Sequence, residues 1–344
     1  LLPSLNSRRF LEARVDSILR QTLARWEAIV LDSHSTDGSW EFFQSIAGRD
    51  PRFRIYQVPR EGLYAALNRG LEIATGDFFY IAPCDDTMLP EFFSEMIEAL
   101  EGRADVGVAA CDCLFINQNG DELRLEDMRP RLSEKQIRNL LSSGKVRSSL
   151  LSVSQRKTNY RPAPHDCLLH FTGRSVYFSL TQLLVRTSSA KEAGFFETSV
   201  GSAADFCWLV RLTSLTDTVH LPKRLATWRF HGDQLSLQKD NTRLAVMSKT
   251  CENILPEIRK RYPALLTNRD CKLLLVPYRI FLARSVIARI ARWLQGFVLI
   301  LGTSLRAPVA TVRAFRQSGF GRNLPVALVL QRRKLFPRPA DTLS

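Results

Sequence analysis

Gly76-Asp77-Phe78-Phe79-Tyr80-Ile81-Ala82-Pro83-Cys84-Asp85-Asp86 is an apolar run that ends in two adjacent carboxylates. Opened by Gly-Asp and closed by Pro, it reads as a core strand of a parallel sheet, because strands covered on both faces are continuously apolar rather than alternating. Open α/β sheets bind ligands outside the carboxyl ends of their strands, so Asp85 and Asp86 are expected to face a crevice. Two like charges side by side repel and raise one pKa unless a cation lies between them. Mg²⁺ or Mn²⁺, bridging carboxylate and diphosphate oxygens, is the simplest such cation. An Asp-rich turn capping a helix that starts near Leu89-Pro90 would use the same residues, and the run alone leaves both readings open.

Toward the N terminus, strands and helices alternate. Leu1-Leu2 closes a strand, and beyond Pro3-Ser4-Leu5-Asn6 the residues Leu11, Val15, Ile18 and Leu19 recur at helical spacing. Residues 26–31 form a second strand, closed by a polar run that caps a helix through Trp40, Phe42 and Phe43. A third strand over 54–58, a helix over 64–74 and a strand over 78–82 complete βαβ units, which imply a largely parallel sheet. The chain opens without Met in an apolar segment, so the start of the first strand is expected upstream of Leu1.

The pattern then changes. A strand over 106–116 runs into the turn signal Asn117-Gln118-Asn119-Gly120. Residues 129–180 are mixed, with one helical stretch over 133–141. A turn, an acid and a helix follow over 194–212, then a late strand over 224–230. Residues 240–335 read as helical, with a break near Ala307-Pro308. There Ile280, Ala283, Ile287, Ile290, Leu294, Phe297 and Leu301 fall on one stripe, away from Arg284, Arg289 and Arg292. The longest uncharged stretch, 293–305, has 13 residues, short of the roughly 20 needed to span a bilayer. A basic amphipathic helix of this kind is expected to lie in an anionic membrane surface. Covering the catalytic domain or pairing with another subunit are its alternatives.

The charge is unevenly divided. Of the 344 residues, 239–344 hold 20 Lys+Arg and 5 Asp+Glu, a net +15, which leaves −1 for residues 1–238. Seven cysteines without a framework-like spacing suit unoxidised thiols in a reducing cytoplasm. Cys111-Asp112-Cys113 has no second Cys/His pair at ligand spacing and reads as part of an apolar strand. No secretory signal is present.

Taken in order, these segments resemble the family 2 glycosyltransferases of GT-A fold. Pro3-Ser4-Leu5-Asn6 with Phe10-Leu11-Glu12 is similar to their opening strand-turn-helix, and Val30-Leu31-Asp32-Ser33-His34-Ser35-Thr36-Asp37-Gly38-Ser39 to their second-strand acid and S-T-D-G turn. Glu61 to Gly70, leading to Ala74-Thr75-Gly76-Asp77, resembles their G-x-x-x-A-x-N-x-G helix and A-T-G-D signature, and Asp85-Asp86 takes the place of their acidic metal motif. The resemblance covers residues 1–236. It implies an α/β fold with a GT-A Rossmann-like mixed sheet flanked by helices. The nucleotide-sugar half is expected over 1–104, the acceptor and catalytic half over 105–238, and a basic helical extension over 239–344.

The resemblance also implies roles. Pro3, Asp32, Arg60, Asp85 and Asp86 would line the donor site, and a divalent ion, Mn²⁺ or Mg²⁺, would be held by Asp85 and Asp86 with His231 of Trp228-Arg229-Phe230-His231-Gly232 approaching it. Asp32 would accept from the nucleotide base, with an Asx turn or helix cap as its bland alternative. Arg60 would pair with phosphate or base, against a solvated arginine. Asp205, just before the helix through Trp208, would take the proton of the acceptor hydroxyl, against a plain N-cap role. Pro83 stands where relatives carry the first acid of this motif, which predicts weaker metal binding or a metal held chiefly by the substrate's phosphates; Ala204 stands where many carry a Glu beside the catalytic acid, so that spare acid is absent. His165-Asp166 falls in the half where an acceptor would bind.

The expected activity is inverting transfer from a nucleoside diphosphate sugar to a glycan or lipid-linked acceptor in cell-envelope synthesis. The expected place is the cytoplasm, peripherally on the inner membrane face. A sugar-phosphate nucleotidyltransferase would want a Gly-rich loop after strand one, and Pro3-Ser4-Leu5-Asn6-Ser7 has none. A degenerate, non-catalytic GT-A binding protein is the other rival, kept alive by Pro83 and Ala204. Nucleic acid is not an expected partner, since the basic third lacks interleaved aromatics and any recognisable module.

Overall fold

The computed structural model describes residues 1–123, 158–172, 175–177, 179–232, 242–283, 286–318, 323–335 and 338–339. The helical stretch expected over 133–141 lies outside these residues, as do Arg284 and the side chains of Ile287, Arg289 and Ile290.

Along the chain the elements are β1 (Leu2–Ser4), α1 (Arg8–Leu19), β2 (Ala28–Asp32), α2 (Ser39–Ala47), β3 (Phe53–Gln57), α3 (Leu63–Ile73), β4 (Phe78–Tyr80), α4 (Phe92–Leu100) and β5 (Val106–Ile116). Then come β6 (Asn159–Arg161), α5 (His165–His170), β7 (Leu183–Arg186), α6 (Thr187–Ala193), α7 (Ala204–Leu215) and β8 (Asp217–Arg229). The last are α8 (Arg243–Arg261), α9 (Asn268–Leu274), α10 (Val276–Phe281), α11 (Val286–Ser304), α12 (Pro308–Ser318), α13 (Leu324–Arg332) and β9 (Arg338–Pro339). The chain forms two compact units: Leu1–Met128 with Tyr177–Trp208 and Val219–Gln238, and Arg129–Val176 with Leu209–Thr218 and Lys239–Ser344.

In the first unit β1, β2 and β3 pair in parallel, with Leu2 opposite Val30 and Asp32 opposite Gln57. Every residue of β2 is buried, which accounts for its unbroken apolar run, whereas β3 is half-open at the edge. Leu11, Val15 and Ile18 of α1 are buried as their spacing predicts, although Leu19 is exposed. Helix α3 lies so close on β2 that a Cβ at Gly70 would be 2.7 Å from Leu31 Cδ1. The Leu1 nitrogen donates to the Tyr80 carbonyl and the Ala82 N–H to the Leu1 carbonyl, both at 2.7 Å, which carries the sheet across to β4.

Beyond β4 the expectation of a parallel neighbour fails. Strand β7 pairs antiparallel with β4, and β5 antiparallel with β7, in the order β4-β7-β5-β8. The sheet is therefore mixed. The strand expected over 78–82 shortens to Phe78–Tyr80, since past Tyr80 it keeps its bond to Leu1 but has no β7 partner. The late strand is longer than 224–230, beginning at Asp217; exposed Lys223 and Arg224 interrupt its burial pattern and hide its first half.

Over 243–332 the described residues of the second unit form helices α8 to α13, and the break falls between Ser304 and Pro308. The stripe from Ile280 to Leu301 does not lie on one helix: α10 ends at Phe281 and α11 starts at Val286. Helix α13 is buried from Leu324 to Gln331. Asp270, on α9, closes a capping box with Thr267 and takes ion pairs from Arg332 and Arg333, the first at 2.6 Å. Strands β6 and β9 pair antiparallel. The seven cysteines form no disulfide. Among the described residues no helix is long and apolar enough to cross a membrane.

Candidate active site

The parallel strands β1, β2 and β4 end on one side of the sheet, and the loops leaving them are tied together. Asn6 Oδ1 accepts the Thr36 N–H at 2.8 Å, the Asn6 N–H donates to Ser35 Oγ at 2.9 Å, and the Arg8 N–H donates to Asp37 Oδ2 at 2.9 Å. Asp32, fully buried, builds the Asx turn that was its alternative reading, accepting the Ser35 N–H at 2.9 Å and Ser35 Oγ at 2.6 Å. Arg60 braces the same loop, its Nε donating to the Ser33 carbonyl at 3.0 Å and its Nη2 to the His34 carbonyl. Arg60 itself remains exposed. Pro3 is buried, and its carbonyl accepts from Cys84 Sγ at 3.1 Å, which joins β1 to the segment after β4. Burial pushes the Cys84 thiol up to about 12.

The two acids part company. Asp86 is 2% exposed and accepts the Arg229 backbone N–H at 2.8 Å. Asp85 keeps a side chain 29% exposed, with its Oδ2 3.0 Å from His231 Nε2. Burial first, and the charge of Asp85 second, push the Asp86 carboxyl well above the usual range, against the Arg229 N–H and the cations Arg14 and Arg229. The guanidinium of Arg229 ties this corner together: Nε donates to the Asp85 carbonyl at 2.6 Å, and Nη1 to the carbonyls of Asn117 and Gln118 at 2.9 and 3.0 Å. Phe10 stands against both His231, at 5.0 Å between rings, and the Arg229 guanidinium. Arg14, completely buried, donates to the Tyr80 hydroxyl at 2.9 Å.

Asp85 and His231 form a carboxylate-imidazole pair suited to a divalent ion that draws its other ligands from a diphosphate. Asp86, expected on the ion beside Asp85, instead bonds to β8. Among the described residues no group of three or more His, Cys, Asp or Glu side chains is arranged to hold a metal. The donor set therefore fits an ion shared with substrate, not one caged by protein.

Asp205 is the second residue of α7, half-buried, with its Oδ1 accepting the Phe206 N–H at 2.6 Å. The turn before it is clamped to α3 by two bonds: Asn68 Nδ2 donates to the Phe196 carbonyl at 2.9 Å and Asn68 Oδ1 accepts the Phe196 N–H at 2.8 Å. Trp208 Nε1 donates to the Gly194 carbonyl at 2.9 Å, and Gly194 holds φ 77°, a left-handed angle that favours glycine. The rings of Tyr64, Phe196, Trp208 and Phe79 follow one another at 4.6–6.0 Å, joining α3, this turn, α7 and β4. Asp32, Asp85, Asp86, Asp205 and His231 thus all belong to the first unit.

Other expectations land elsewhere. His165 and Asp166 are buried: Asp166 pairs with His165 Nδ1 at 2.9 Å and Arg161 at 3.2 Å and accepts from Thr218 Oγ1 at 2.9 Å, so they sit in a closed polar cluster rather than at an acceptor surface. Cys111 and Cys113 lie on β5, as the strand reading has them. Reading the sequence missed Arg229 as the tie between the acids and β8, and Asn68 as the clamp on the Asp205 turn. Both stand inside quoted motifs, but a bond to a residue more than 100 positions away leaves no local signal.

Residues 1–157 match the sequence profile described as glycosyl transferase family 2. The chain is 31% identical over 121 residues to the uncharacterized glycosyltransferase EpsJ of Bacillus subtilis, covering 35% of this chain and 34% of that protein. It is 30% identical over 113 residues to a dolichol-phosphate mannosyltransferase of Pyrococcus furiosus, covering 32% of each. The chain thus spans about a third of the length of these curated relatives. The crystal structure of S. aureus TarS 1-349 in complex with UDP-GlcNAc superimposes with a TM-score of 0.57 at 14% identity, over 96% of this chain and 89% of that one, a likeness of fold. Residues 1–157, somewhat under half of the chain, are thus similar to glycosyl transferase family 2.

Proposed function

We propose that the protein is an inverting glycosyltransferase that moves a sugar from a nucleoside diphosphate sugar to an acceptor hydroxyl. The observation that carries this reading is the Asp85–His231 pair at the carboxyl end of β4, in one compact unit with the braced β1 and β2 loops and with Asp205. The nucleotide base lies against the loop held by Asp32 and Arg60, and the diphosphate lies toward Asp85. Asp85 and His231 would hold a divalent ion, Mn²⁺ or Mg²⁺. When bound, the ion supplies charge stabilisation to the leaving diphosphate. Asp205 takes the acceptor proton as the hydroxyl oxygen forms its bond to the anomeric carbon, and the bond to the diphosphate breaks with its electron pair. Arg229 holds Asp85 in place through its carbonyl, and Asn68 holds the turn that carries Asp205.

The basic C-terminal region and the lipid-phosphate acceptor named for the Pyrococcus relative support an acceptor that is a glycan or lipid-linked glycan of the cell envelope. They also support peripheral work at the inner membrane face. A non-catalytic nucleotide-binding domain is the second reading, favoured by the withdrawal of Asp86 into a bond with Arg229.

A thermal-shift screen of UDP, GDP and dTDP with Mn²⁺ or Mg²⁺, followed by transfer assays on the matching sugars, separates the two. Stabilisation by one nucleotide that is lost with chelator or in Asp85→Ala, together with turnover, is the expected result. Stabilisation without turnover of any donor selects the binding protein, and no stabilisation at all overturns the donor site.

A further inference from the structure

Helix α11 exposes an apolar face. Its inward side is closely held: a Cβ at Gly296 would lie 2.8 Å from Val276 Cγ1 on α10, Thr303, 1% exposed, accepts from Arg269 Nε at 2.7 Å, and Leu299 and Ile300 on the same side are half-buried. The same arginine's Nη2 donates to the Leu299 carbonyl at 3.0 Å, which holds that side against α9. Its outward side carries Leu294, Val298, Leu301 and Leu305 at steps of four, three and four residues, a single helical face, exposed by 51, 68, 49 and 78%. Val309 and Val312 of α12 extend this ridge, exposed by 65 and 52%. A helix docked on a protein core presents the opposite arrangement, so something other than water is the natural partner of this face.

Charge identifies that partner. From residue 286 to 318 the sequence has five arginines and no Asp or Glu. Arg306 and Arg313, which follow the ridge residues Leu305 and Val312 in the chain, are exposed. Trp293, 47% exposed and stacked on Phe297 at 5.4 Å, is of the type enriched where a bilayer meets water. Two copies meeting through this face would set arginine against arginine with no acid to pair them. A surface of anionic headgroups over hydrocarbon matches both the cations and the leucine-valine ridge.

We infer that the outer face of α11 and α12 is an insertion ridge for an anionic phospholipid bilayer, with Leu294, Val298, Leu301, Leu305, Val309 and Val312 entering the acyl region and Arg306 and Arg313 pairing with headgroup phosphates. This rests on the proposed membrane placement and names the surface that accomplishes it.

The test is flotation of the purified chain with vesicles of phosphatidylglycerol and phosphatidylcholine, and with phosphatidylcholine alone. It compares wild type with a Val298→Glu/Leu305→Glu double variant. Both positions are exposed, so an unchanged Tm certifies the variant's fold. Wild type should float with the anionic vesicles only, and the double variant's partition should fall about tenfold or more. Brominated lipid should quench wild-type tryptophan fluorescence and lose most of that effect on Trp293→Phe. Equal flotation of wild type and variant overturns the ridge as the contact. Absence of wild-type flotation at low salt, or a wild-type dimer that the double variant dissolves, overturns it as well. The glycosyltransferase reading stands or falls separately, on the nucleotide thermal shift measured without lipid.

Discussion

Asp205 carries the sharpest test at the residue scale. Asp205→Asn keeps the size and an acceptor for the Phe206 N–H but cannot accept a proton, so kcat should fall by about 10²–10⁴. The nucleotide-induced thermal shift should stay unchanged. Undiminished turnover in this variant would remove Asp205 from the mechanism. Asn68→Ala leaves the N–H and carbonyl of Phe196 without their partner, which should cost about 1–3 kcal/mol in denaturant unfolding and lower kcat more than donor affinity. A KM rise with kcat intact would mean that Asn68 does not position the catalytic turn. The turn and the Trp-bearing helix around position 205 are legible locally, although Asp205 falls in the first turn of α7 and not before it, whereas the partner of Asn68 lies 128 residues away and leaves no local signal.

At the scale of elements, stability is decided by close approaches and by one buried carboxylate. Gly70→Ala should destabilise by roughly 1–3 kcal/mol, because the added methyl would meet Leu31 and force α3 off β2. An unfolding free energy equal to wild type would show that the helix has room. Asp270 joins α9 to α13 through Arg332 and Arg333. Burial opposes its charge, but the bonds from Thr267 and the Arg333 cation outweigh that and hold its carboxyl below the usual range. A depressed folded pKa stabilises above the unfolded value of about 4 and is lost as pH falls through the folded value. Asp270→Asn should therefore cost about 2–4 kcal/mol at neutral pH, with a Tm gap to wild type that narrows as pH drops below about 4. A gap independent of pH would deny the carboxylate that role.

At the scale of the whole molecule the proposed roles fall in different compact units. Every candidate catalytic and donor residue falls in the first, and the exposed apolar ridge falls in the second. The Val298→Glu/Leu305→Glu variant should thus show the same nucleotide-induced thermal shift as wild type in lipid-free buffer. A changed shift would mean that the units do not act independently in donor binding. Charge is divided along the chain, with −1 over residues 1–238 and +15 over 239–344; that boundary is not the one between the units, because the second also takes Arg129–Val176 and Leu209–Thr218.

By itself the sequence determined what depends on neighbours along the chain. The βαβ order, the delivery of Asp85 and Asp86 at the end of β4, the turn before α7 and the basic helical C-terminal region all follow from local periodicity, caps and charge. Tertiary structure decided what depends on partners far away in sequence. It turned Asp86 inward onto the backbone of Arg229 while leaving Asp85 with His231, and it tied the turn before Asp205 to α3 through Asn68. It also set Leu294, Val298 and Leu301 of α11 outward and Gly296 and Thr303 inward, although helical periodicity locates an apolar stripe without saying which way it faces. The reason is common to all three: a side chain's burial and charge state are set by the groups packed against it, and those come from anywhere in the chain.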